Sequence, residues 1–107
     1  MRLSVPERLK LLEMLPEKSS YEGIVEIRRL SMLLMLTGEE AEEIDVKHLE
    51  GGVTSWNQEK AIALITDIPM GEWVTNVIRK LLKEKDDEGD LDLASLSLFE
   101  KFIMDYA

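Results

Sequence analysis

IVEIRRLSMLLML, residues 24–36, is the stretch on which the fold turns. Its first half is amphipathic: Ile24, Val25, Ile27 and Leu30 recur at helical spacing, with Glu26, Arg28 and Arg29 turned the other way. From Leu30 onward Ser31 alone is polar beside Met32, Leu33, Leu34, Met35 and Leu36. A helix without a wet side has to be surrounded. The run is well short of the ~18–20 apolar residues that cross a bilayer. The pattern therefore predicts enclosure by protein, either this chain's other helices or a second copy. Ser19 with Glu22 has the spacing of a capping box at its start, and Thr37-Gly38 marks its end.

A chain of 107 residues is one domain, 1–107, on the usual size range. Charged residues at 33% and hydrophobic residues at 45% suit a folded domain rather than a disordered one. Without cysteine there is no disulfide framework, thiolate nucleophile or cysteine zinc ligand, which suits a cytoplasmic setting. The opening MRLSVPERLKLLEML has charges inside its apolar pattern and does not read as a signal peptide, and no segment reads as transmembrane.

The net charge of −9 is unevenly spread: +1 over residues 1–36, −7 over 37–72 and −3 over 73–107. Such a surface repels phosphate backbones, so direct nucleic-acid binding is disfavoured and a basic partner is favoured. Solubility alone also accounts for the acid.

Around the central stretch the other elements follow in order. Ser4 with Glu7 is a capping-box spacing and Pro6 sits in a first turn. This predicts a helix to Leu15 with Val5, Leu9 and Leu12 on one stripe, Leu11 and Leu15 beside it, ended by Pro16. The short linker PEKSS predicts an antiparallel pairing with the central helix. Thr37 with Glu40 starts a short acidic helix whose inward candidates are Ala41 and Ile44.

Val46–Glu50 and Val53–Trp56 read as a hairpin across a two-residue Gly51-Gly52 turn. Ala61–Ile68 is ambiguous. Ile62, Leu64 and Ile68 alternate as in a strand, while Asn57 could cap a helix from Gln58; the β-branched Ile65-Thr66 and the following Pro69 favour a third strand. From about Met70, Trp73, Val74, Val77, Ile78, Leu81 and Leu82 predict a helix that KEKDDEGD breaks, with Gly89 at the turn. A last helix runs from Asp92 or Ala94 to Tyr106 with Leu96, Phe99, Phe102, Ile103 and Tyr106 inward. The expected fold is α+β and predominantly helical: four to five short helices around the central one, with a small antiparallel hairpin or three-stranded sheet.

Chemistry is sparse. His48 is the only histidine and lacks the partners a catalytic base needs. A calcium-loop alignment on Gly89 sets Glu84, Asp86 and Glu88 at the first three ligand positions. It leaves Ser95 where the bidentate glutamate belongs, so a solvated loop is the better reading. Neither metal nor cofactor is expected, and Gly51-Gly52 lacks the setting of a phosphate loop.

Two acidic clusters are candidate contacts for a basic protein partner: Glu39, Glu40, Glu42, Glu43 and Asp45, and Asp86, Asp87, Glu88 and Asp90. Trp56 and Trp73 are expected in the core and become interface anchors if exposed. Met32 and Met35 read as core filler or, with neighbouring leucines, as a homodimer seam. Arg28, Arg29 and Arg79 could hold an anion between subunits.

LLEMLPEKSSYEGIVEIRRL (11–30), LTGEEAEEI (36–44), Trp56-Asn57 and LSLFEKF (96–102) together resemble small acidic proteins encoded in tailed-phage and prophage genomes. The likeness spans nearly the whole chain and departs at Ala61–Ile68, which is more apolar than in that group. It implies neither activity nor site residues, only a setting: a phage accessory protein in a bacterial cytoplasm. The function expected is therefore non-enzymatic. One version inhibits a host defence or nucleic-acid-handling protein through an acidic surface; the alternatives are a self-associating assembly component and an oligomeric small-anion binder.

Overall fold

The computed structural model describes residues 1–48, 50–52 and 54–104. Its first helix, α1 (Val5–Met14), begins as the sequence predicts: Glu7 N–H donates to the Ser4 hydroxyl at 3.4 Å while Ser4 N–H donates to Glu7 Oε1 at 2.9 Å. Two orphan donors of the first turn are thereby satisfied. The buried arc is rotated from the expected stripe, however. Val5, Leu11 and Leu15 are buried together with the charged Glu7 and Arg8, while Leu9 and Leu12 are half-buried.

Helix α2 (Tyr21–Leu34) starts one residue later than the Ser19–Glu22 spacing suggests. Ser20 is the cap, accepting from Gly23 N–H at 3.2 Å. Gly23, Ile27, Leu30 and Leu34 form its buried row. The helix stops at Leu34, short of Thr37, because Thr37 instead caps α3 (Gly38–Glu43) through a reciprocal pair with Glu40. Ile44, fully buried, anchors this short helix.

The hairpin forms from β2 (Lys47–His48) and β3 (Thr54–Ser55), with Lys47 opposite Ser55 and His48 opposite Thr54. Its turn is wider than two residues. A 3-10 turn at Glu50–Gly52 includes Gly51 at φ 82° and Gly52 at φ 78°, where glycine escapes the Cβ penalty; Leu49 and Val53 lie outside the described residues.

The third strand expected over Ala61–Ile68 is replaced by the competing reading. Asn57 caps α4 (Gln58–Ala63), accepting from Lys60 N–H at 3.0 Å. Only Thr66–Asp67 is extended, as β4, and it pairs antiparallel with β1 (Arg2–Leu3), not with the hairpin. Ala61 packs with Val5 and Ile44 in a small second core, which decides the segment for helix.

Helix α5 (Glu72–Asp87) turns Val74, Ile78 and Leu82 inward and continues through KEKDD. Gly89, at φ 68°, ends it: Gly89 N–H reaches Asp86 O at 3.0 Å and Asp90 N–H reaches Lys85 O at 2.8 Å, the two bonds of a Schellman stop.

In α6 (Leu93–Phe102) Ser95, Leu98 and Phe102 are buried and Phe99 and, just past its end, Ile103 pack partly buried against the core, whereas Leu96 faces out; Tyr106 lies outside the described residues. Burial of Ser95 is tolerated because its backbone and hydroxyl are both bonded to the capping residue Asp92. Two ion pairs fasten α6 to α1, Lys10 to Asp92 at 2.8 Å and Lys101 to Glu7 at 2.7 Å.

The result is an α+β fold, predominantly helical, with six α-helices and two separate two-stranded antiparallel sheets among the described residues. The main core joins Leu3, Leu11, Ile27, Leu30, Leu34, Ile78, Leu82, Leu98 and Phe102. No helix among the described residues is long and apolar enough to cross a membrane.

Candidate functional site

The end of α2 is held by a buried charge. Arg8, 1% exposed, donates from Nε to Leu34 O at 3.1 Å and from Nη2 to Met35 O at 2.8 Å. These are carbonyls that a helix end leaves without partners. The same guanidinium forks onto both carboxylate oxygens of Glu40, and Thr66 of β4 donates to Glu40 Oε2 at 3.3 Å. One arginine thus ties α1, the end of α2, the start of α3 and β4. The hydrogen bond from Arg8, with the Thr37 N–H behind it, outweighs desolvation and holds the Glu40 carboxyl at about 2, below its usual 4.5. Glu40 is therefore structural, and it leaves the acidic contact surface to which the sequence assigned it.

The outward side of α2 is different. Opposite its buried row, Tyr21, Val25, Arg28, Met32 and Met35 repeat at spacings of four and three. Tyr21 is 83% exposed, Met32 69% and Met35 60%, so neither methionine fills this chain's core. Leu33, exposed, and Glu22, Glu26 and Arg29 flank the stripe; Glu26 and Arg29 are paired at 2.9 Å.

Trp73, in the first turn of α5, is 45% exposed and borders a groove of about 530 Å³ with Tyr21, Gly23 and Val25. Its ring approaches α2 closely: a Cβ at Gly23 would stand 3.0 Å from ring atom Cη2. Of the two enclosures the sequence left open for the central stretch, this chain's own helices cover Leu30 and Leu34 but leave Met32, Leu33 and Met35 exposed, so Met32 and Met35 are not core filler of this chain. A spacing of four and three at Tyr21, Val25, Arg28 and Met32 was the available signal, and Arg28 within it obscured the pattern.

The predicted acidic sites divide. Glu39, Glu42 and Glu43 on α3 are exposed and form no ion pair among the described residues, as do Asp86, Asp87 and Glu88 at the end of α5. Asp45 is held by Lys60 at 3.0 Å and Asp90 by Lys85 at 3.4 Å. The two clusters lie on different elements, and among the described residues no group of three or more histidines and carboxylates is arranged to hold a metal ion.

His48 is exposed, its Nδ1 3.4 Å from the Thr54 hydroxyl. Arg79 donates to Phe102 O at 2.8 Å, closing α6, and Arg29 is engaged by Glu26, so of the three candidate anion ligands Arg28 is uncommitted among the described residues. Trp56 is partly exposed and donates to Gln58 at 3.1 Å.

A second groove, of about 710 Å³, runs beside α4 and α6 with Pro6, Ile62, Ile65 and Leu93 on its walls and the Glu7–Lys101 pair among its lining. Burial raises the Glu7 pKa, yet Lys101, Ser4 N–H and the Ser97 hydroxyl together bring it below 4.5. That pair is accounted for as the clamp between α1 and α6. Compared with protein-family models, curated proteins and solved structures, the chain finds no match.

Proposed function

We propose that this chain is a non-enzymatic interaction protein that docks another macromolecule onto the outward face of α2 and the adjoining Trp73. The supporting observation is the set of open apolar side chains along that face, Tyr21, Met32, Leu33 and Met35, with Trp73 beside Tyr21. Apolar side chains scattered singly on a surface need no explanation, but a contiguous set marks an interaction face. Aromatic residues and methionine are enriched at such faces.

The resemblance to phage-encoded proteins supports a bacterial cytoplasm as the setting. A host defence or nucleic-acid-handling protein with a basic surface is the second reading. It is favoured by the exposed carboxylates of Glu39, Glu42, Glu43, Asp86, Asp87 and Glu88, which form no ion pair among the described residues and would steer such a partner.

Site-specific photocrosslinking separates the two. A crosslinking side chain at Met32 is expected to capture the partner and one at Asp87 to capture little. Capture at Asp87 with none at Met32 would overturn the apolar docking face in favour of the acidic one.

A further inference from the structure

We infer that the occupant of the α2 face is a second copy of this chain, antiparallel across a two-fold axis, so that Tyr21 of each copy meets Met32 of the other and Glu22 of each meets Arg29 of the other. The inference rests on the docking reading above and names its partner. Its basis is the pattern on α2. A four-and-three spacing is the repeat that keeps one helix seam facing another.

In heptad terms Tyr21 and Arg28 are d positions, Val25 and Met32 are a positions, and Glu22 and Arg29 are the e positions next to the d residues. An antiparallel seam sets a against d and e against e. The register that places Tyr21 on Met32 and Val25 on Arg28 is also the one that places Glu22 on Arg29, whose Nη1 is taken by Glu26 of its own helix and whose remaining guanidinium donors face across the seam. Two-fold symmetry makes every such contact twice.

Charge singles out this face and this direction. With a net charge of −9, most faces of two copies repel one another. The α2 face is balanced, with Glu22 and Glu26 in its first half and Arg28 and Arg29 in its second. An antiparallel copy sets each acidic half on a basic half, whereas a parallel copy would set Glu22 on Glu22. A uniformly basic partner would meet Arg28 and Arg29, and a uniformly acidic one would meet Glu22 and Glu26. Only a partner with the same pattern reversed satisfies both halves, and this chain carries it.

Arg28 lays its methylene stem along Val25 of the other copy and turns its guanidinium toward Glu22 there, fixing register at some cost in affinity. The Trp73 groove lies on the same flank as Glu22, so Arg29 and Leu33 of the second copy cover it.

Helix α2 has 14 residues and spans roughly 21 Å at ~1.5 Å per residue, a seam at the small end of specific interfaces. Sedimentation equilibrium of the full chain from ~10 μM to ~1 mM therefore covers the relevant range for so small an interface. The wild type is expected to pass from monomer to dimer. Glu22→Arg and Arg29→Glu, both at exposed positions, should each weaken the dimer about tenfold or more while circular dichroism stays unchanged. An equimolar mixture of these two variants should dimerise again, because every e–e contact then joins opposite charges. Arg28→Leu should dimerise more tightly than the wild type.

A chain that stays monomeric at ~1 mM overturns the inference and leaves the docking face to a different partner, which crosslinking at Met32 reads independently. A dimer broken by Met32→Glu but indifferent to the charge exchange overturns the antiparallel register. A dimer indifferent to all of these substitutions places the second copy elsewhere and overturns the inference outright.

Discussion

Within one turn of each other, the end of α2 carries a charge sealed from water and an oily face open to it. Arg8 is dry and matched atom to atom with the partly buried Glu40, while Met32 and Met35 are 69% and 60% exposed. The difference shows what each kind of residue is for. A buried ion pair is a poor source of net stability but a strict one: it tolerates one arrangement of α1, α2, α3 and β4, and breaking one side leaves a charge stranded. An open methionine contributes little to folding and is free to serve association.

The largest expected effect breaks the charged side of this comparison. Arg8→Met should destabilise the fold by about 3–5 kcal/mol in urea unfolding, since it strands Glu40 and two helix-end carbonyls. Arg8→Met with Glu40→Leu should recover much of that loss, because no unpaired charge then remains.

Acid offers the same test without mutation. Glu40 is lowered from 4.5 to about 2 on folding, so its contribution is complete above pH 4.5 and fades as pH falls toward 2. Because solvent reaches part of Glu40 and screens the pair, unfolding free energy should fall by about 1–2 kcal/mol between pH 6 and pH 3, and Glu40→Gln should flatten that dependence.

A smaller effect belongs to the α6 cap. Asp92→Ala removes the acceptor of Ser95 N–H and should cost about 1 kcal/mol, read as a lower urea midpoint with an unchanged slope.

The smallest effect on stability is on the apolar side. Met32→Gln should stay within about 0.5 kcal/mol of wild type while abolishing association. If Met32→Gln unfolded the chain, or Arg8→Met left it unmoved, the division of labour between the two regions would be lost.

What was legible in the sequence was local. Ser4–Glu7, Thr37–Glu40, Gly89 and the inward Val74, Ile78 and Leu82 are fixed by interactions spanning a few residues, and each appears where the spacing sets it. The acidic α3 was equally readable as a helix, but not the withdrawal of Glu40 from its surface, because Arg8 lies 32 residues away.

Distance along the chain also hid the pairing of Thr66–Asp67 with Arg2–Leu3 and left Ala61–Ile68 to be decided by a core contact with Val5 and Ile44. Periodicity likewise says which residues share a helix face but not which of two apolar faces is covered. That is why Leu98 rather than Leu96 points inward in α6, and why Met32 and Met35 lie open in the segment that looked most deeply interior.

Lys101, near the end of α6, donates to the carbonyl of Arg2 in β1 as well as to Glu7. The first strand and the last helix are therefore side by side, and a few flexible residues could bridge them. A circularly permuted version, joined there and reopened at the exposed Gly51-Gly52 turn, would keep every helix intact and leave α2 free for labelling from a new end.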